Sequence, residues 1–162
     1  MDQDNYTDEI YHYGIKGMKW GIRRGRKNSN KKVEKLKKVR DKEIDNAKRS
    51  RKYEEDDLKF QRKQLNALKK EGAKGKTMKK MYGISNDKDA MDLYGESMKD
   101  LWKSTVSGLE KDARISRDRA KAFLAKETAL QNLDLSTISK SDIVKTGRTA
   151  FNKSISESVE ER

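Results

Sequence analysis

Neither cysteine nor proline occurs in the 162 residues, and the two absences exclude different things. Without cysteine there is no disulfide framework, no thiolate metal site and no cysteine nucleophile. Without proline, of which an average composition would supply about eight, the usual helix breakers are gone and long uninterrupted helices are permitted. Large apolar side chains are scarce as well. Leu, Ile, Val and Phe total 28 residues, which with a net charge of +13 argues against a large independent core. Histidine occurs once, at His12. A Ser-His-Asp arrangement would have to draw its base from the glycine-rich segment around it, and no Cys or second His could complete a metal site there. The chain therefore reads as a non-enzyme with no metal and no cofactor. No apolar run approaches a membrane span, and the start MDQDNYTDEI carries four acids and no basic n-region, so neither secretion by a signal peptide nor a transmembrane segment is expected.

What is present points to helix. Ala, Glu, Lys, Leu and Arg make up 73 residues, close to the signature of long helices and coiled coils. A thin apolar content and a strong helical bias are compatible if burial is completed in an assembly. The charge is unevenly placed: −4 over residues 1–10, +8 over 11–32, +6 over 33–70, +3 over 71–85 and zero over 86–162. All the excess lies in the N-terminal half, as in a basic arm or face for a polyanion joined to a neutral module.

The pattern divides the chain into a tip and docking segment at 1–32, a basic helix at 33–70, a connector at 71–87, an amphipathic core helix at 88–127 and a C-terminal amphipathic helix at 139–156. Over 33–70, Val33, Leu36, Val39, Ile44, Ala47, Leu58, Leu65 and Leu68 form a thin helical seam, interrupted by Arg51 and Glu54 where another contact should fall. The connector holds Gly72, Gly75 and Gly83, then the capping candidates Ser85, Asn86 and Asp87. From 88 to 127 a wide stripe predicts the principal buried face, led by Met91, Met98, Leu101, Trp102, Leu109 and Phe123 and including Tyr94 and Leu124. Gly95 and Gly108 weaken it slightly or admit a close neighbour. At the C-terminal helix Ser139 or Ser141 can cap, with Asp142 in the first turn. The fold class is all-α: an elongated helical hairpin or coiled-coil-like assembly with an irregular, glycine-rich, basic N-terminal segment.

Two clusters invite a chemical reading and lose it on geometry. Glu54, Glu55, Asp56 and Asp57 are consecutive, so on a helix they point around the cylinder and cannot converge on one cation. A solvated face is expected there. GAKGK at 72–76 lacks the spacing of a phosphate loop and any preceding strand.

Residues 11–32, YHYGIKGMKWGIRRGRKNSNKK, are the most distinctive stretch. Three aromatics, four glycines and eight Lys/Arg occur without one acid. Tyr11, Tyr13 and Trp20 offer flat faces, Gly14, Gly17 and Gly21 permit close backbone approach, and Lys16, Lys19, Arg23 and Arg24 supply charge. With His12, these residues are the expected partner-binding set. Arg26, Lys27, Lys31, Lys32, Lys37 and Lys38 are the expected nucleic-acid contacts. Clustered cations among aromatics suit phosphate attraction with base stacking, yet the fixed places of Ile15, Trp20 and Ile22 favour shape recognition by a protein groove. Trp20 is thus read as functional and Trp102 as structural.

HYGIKGMKWGIRR (residues 12–24) also resembles a motif, H-x-G-[IV]-K-G-x-K-W-G-[IV]-R-R, of virion or head-associated proteins of tailed bacteriophages of Gram-positive hosts. The resemblance covers about 13 residues and implies a phage structural context, in the virion or in the host cytoplasm during assembly, with no catalytic residue. It makes other phage structural proteins the expected partners. Packaged DNA bound without sequence preference, and self-association through the helices, are further partners to test. The other class of function left open is a small phage protein that binds nucleic acid or blocks host defence.

Overall fold

The computed structural model describes residues 29–161 with their side chains. Among the described residues there are helices and no strand. The helices are α1 (Asn5–Glu71), α2 (Lys76–Tyr82), α3 (Asp87–Tyr94), α4 (Met98–Gln131) and α5 (Lys140–Glu160). The expected irregular segment and docking motif precede Ser29 and lie outside the described residues.

α1 and α4 pack antiparallel. Trp102 Nε1 donates to Leu68 O (2.9 Å) at the chain-reversal end, Ser116 Oγ to Asp57 (2.8 Å) at mid-length, and Lys126 Nζ to Glu43 (2.9 Å) towards the far end. α5 returns along α4 and also touches α1. It comes close because Gly147 is small: a Cβ there would meet Lys126 Cε at 3.0 Å and Leu130 Cδ1 at 3.5 Å. Gly108, by contrast, faces open space.

Burial is split between two apolar clusters. At the reversal, Leu68, Met78, Ile84, Ala90, Met98 and Leu101 pack together. At the other end Leu36 and Ile44 of α1 meet Leu130, Leu135 and Ile143. Between them the seam of α1 continues at heptad spacing, Ala47, Glu54, Gln61 and Leu68, all buried, with its two middle places polar. The apparent gap in the periodicity is therefore a polar belt: Arg51 holds Glu127 (2.7 Å), Arg119 lies near Glu54 (3.7 Å), and Asp57 accepts from both Gln61 and Ser116. The acidic run 54–57 is correspondingly not a uniformly solvated face. Glu54 and Asp57 turn towards α4, while Glu55 bonds Arg51 and Asp56 pairs with Lys59.

Three expectations need correction. The helix predicted over 88–127 is two helices, because Gly95 takes a left-handed conformation (φ 70°) that closes α3, and Ser97 then caps α4. The break puts residues before and after Gly95 out of helical phase. Met91 and Tyr94 are consequently exposed, as is Leu124 further along, whereas Met98 and Leu101 are buried. The connector contains α2, with Met78 fully buried. It starts tight against α1: the Glu71 carboxylate accepts Thr77 N–H at 2.7 Å, and a Cβ on Gly75 would meet Glu71 Cβ at 2.3 Å. The C-terminal helix runs four residues past 156, to Glu160. Ile143 is buried there, but Val144 and Val159 face outward. Trp102 is structural, since its indole satisfies a carbonyl in the last turn of α1.

Ser139 caps α5 in a reciprocal capping box with Asp142. Hydrogen bonds from Ser139 hold the Asp142 carboxyl below its ordinary value, and Ser97 does the same for Asp100. A folded-state value lower than the unfolded one contributes stability that is present above the ordinary aspartate range and lost as pH falls through the lowered value. Melting temperature should thus be nearly flat from pH 7 down to about 5 and drop below about 4. Asp142→Asn should melt lower than the parent at pH 7, with the difference shrinking at pH 3. Melting curves across that range check it.

Candidate polyanion interface on the first helix

Lys31, Lys35, Lys38, Lys42 and Arg49 follow one another at intervals of four, three, four and seven residues. At 3.6 residues per turn they fall along one line of α1, on the side away from the seam of Leu36, Ala47 and Glu54 that meets α4. All five are exposed. Among the described residues none of them pairs with a carboxylate. The line spans about 27 Å at 1.5 Å per residue.

Cations on the other side of the helix have different work. Arg51 is tied to Glu127 and Glu55, and its guanidinium is held above the ordinary arginine value mainly by the Glu127 hydrogen bond. Lys69 pairs with Glu110 across the hairpin at 2.6 Å. These charges serve the fold, whereas the cations of the outward line have no carboxylate partner among the described residues.

Of the expected nucleic-acid contacts, Lys31, Lys32, Lys37 and Lys38 are all exposed. Helical phase brings Lys31 and Lys38 onto the outward line and sends Lys32 and Lys37 to other sides of the cylinder. Arg26 and Lys27 lie outside the described residues, as do Tyr11, His12, Tyr13, Gly14, Lys16, Gly17, Lys19, Trp20, Gly21, Arg23 and Arg24. Lys35, Lys42 and Arg49 were missed by composition alone. The signal that finds them is the i, i+4, i+7, i+11 recurrence once 33–70 is taken as one helix.

A concave feature opens between α1 and α4, with a volume of about 410 Å³. Leu58, Leu65 and Ala113 provide apolar surface, and Arg62, Arg114 and Arg117 provide charge beside Glu110. The α2 start, where the GAKGK run lies, has its Thr77 N–H occupied by Glu71. Neither place brings together a nucleophile and a base.

No helix among the described residues is long and apolar enough to cross a membrane. No curated protein and no solved structure matches the chain. Residues 3–27 match the model of a family of unknown function (DUF7211), so the stretch that carries HYGIKGMKWGIRR is similar to that family.

Proposed function

We propose that this chain is a non-enzymatic phage structural or head-associated protein that docks onto other phage proteins through residues 12–24 and turns the basic outer line of α1 towards DNA. The observation that supports it best is the five-cation line, exposed and unpaired among the described residues, which begins at Lys31 within the acid-free basic segment 11–32 and extends it along α1. Phosphate neutralisation by such a line is independent of base sequence. The thin core and the polar belt also suit a helical hairpin that completes its burial in a coiled-coil-like assembly with copies of itself or with its partner.

Two measurements test the reading. If the line neutralises about five phosphates, log affinity for duplex DNA against log salt should slope near −4 to −5. Charge reversal of Lys38 and Lys42 should flatten that slope by about two, and an unchanged slope would remove the line from the interface. Trp20→Ala should leave the melting temperature within about 1 °C of the parent while abolishing capture of phage structural proteins from purified virions, because an aromatic anchor carries an outsized share of a small interface. Unfolding of the Trp20→Ala protein would instead place the motif in the protein's own core.

A further inference from the structure

The line of cations on α1 does not end at Arg49. Tyr53, one turn further on, and Phe60, two turns beyond that, continue along the same side of the helix, and they are 72% and 59% exposed. An exposed Tyr or Phe taken singly needs no explanation. Two of them in register with five unpaired cations form a continuous basic and aromatic track about 44 Å long from Lys31 to Phe60. One carboxylate stands on the track itself, Asp56, in phase with Lys38 and between the two rings, and its charge is offset by Lys59 at 3.3 Å. Further cations, Lys52 and Lys63, flank it and are exposed. Glu34 and Asp45 lie on the same flank, outnumbered by the basic side chains around them.

We propose that this face is a binding track for single-stranded nucleic acid, in which Lys35, Lys38, Lys42 and Arg49 follow the phosphates and the rings of Tyr53 and Phe60 stack on unpaired bases. The inference rests on the polyanion reading given above and adds the strand state of the ligand. A duplex hides its base faces in the stack and shows a straight protein helix only phosphates and groove edges, so exposed rings gain nothing from it. A single strand offers a face at every base, and stacking is sequence-tolerant because each base has one. The rings are about 10.5 Å apart along the axis, some three steps of a strand stacked at 3.4 Å per nucleotide. Each ring can therefore take its own base without competing for the same one. A membrane surface fits less well: an interfacial helix needs a broad apolar face, and here two rings stand alone among charges.

The test uses the full chain, a fluorescein-labelled 20-mer of thymidine, the corresponding 20-base-pair duplex and vesicles containing phosphatidylserine, compared at 50 mM salt. Tyr53→Ala and Phe60→Ala should each weaken oligothymidine binding roughly 5- to 100-fold and leave duplex binding within about twofold. Both variants should melt like the parent, since neither ring is buried. Tyr53→Phe should retain most of the affinity, because the ring face is preserved. Equal losses for both nucleic acids, or no loss for either, would overturn the stacking track. Cation-dependent duplex binding in that case would leave the polyanion reading standing without it. Failure of the parent to bind either nucleic acid would overturn both. Binding to vesicles that depends on the two rings while oligothymidine binding does not would assign the face to a membrane surface.

Discussion

Leu68→Ala should lower the unfolding free energy by about 2–5 kcal/mol, and Leu130→Ala by a similar amount. Each of these side chains is fully buried, and each sits in a different cluster, Leu68 at the chain reversal and Leu130 where α4 meets α5 and the earlier part of α1. With so few large apolar residues, either loss is a sizeable share of a marginal total of about 5–15 kcal/mol. Leu68 stands some 36 Å along α1 from Ile44, which packs in the cluster of Leu130. The two losses should therefore add to within about 0.5 kcal/mol, and the double variant should be largely unfolded. Urea denaturation followed by far-ultraviolet circular dichroism measures all three. A loss under about 1 kcal/mol at both sites would mean that the two clusters do not hold the hairpin together in solution.

The helical seam of 33–70 was legible because apolar residues recur at helical spacing and no proline interrupts them. The start of α5 was legible to within Ser139 or Ser141, with Asp142 in the first turn, and the reciprocal capping box with Asp142 selects Ser139. What stayed hidden depends on partners distant in sequence. Arg51 and Glu54 look like errors in an apolar seam until Glu127 and Arg119 are brought opposite them. α2 is short and lies between glycines, and it exists because Met78 reaches the core and Glu71 accepts the Thr77 amide. Gly95 sat within an otherwise continuous apolar stripe, so periodicity alone carried the helix through it. Its left-handed conformation ends α3 and allows the chain to restart at Ser97. For the candidate interface, composition picked out only Lys31 and Lys38 of the outward line, and phase on α1 was needed to add Lys35, Lys42 and Arg49 and to separate them from Arg51 and Lys69, which are committed to α4.

The polar belt leads to the other large expected effect. Arg51 Nε and Nη2 donate to the two oxygens of Glu127 at 2.7 and 3.4 Å, and the Glu127 side chain is only 5% exposed while that of Arg51 is 31% exposed. Removing the arginine leaves a buried carboxylate without its main partner, so Arg51→Ala should cost about 3–5 kcal/mol, far above the cost of a surface pair. Replacing both residues with leucine should recover most of that loss, because a well-packed apolar pair avoids the desolvation of two charges. The recovery has a consequence for pairing. In the register observed, Arg51 meets Glu127, Arg119 approaches Glu54 and Asp57 meets Ser116; sliding α4 by one turn would separate all three pairs at once. With leucine at 51 and 127 that penalty is weakened. The double variant should then approach parental stability in urea but show broader amide resonances or concentration-dependent association. A cost below about 1 kcal/mol for Arg51→Ala, or a double variant as unstable as the single, would show that the pair contributes no more than an exposed ion pair does.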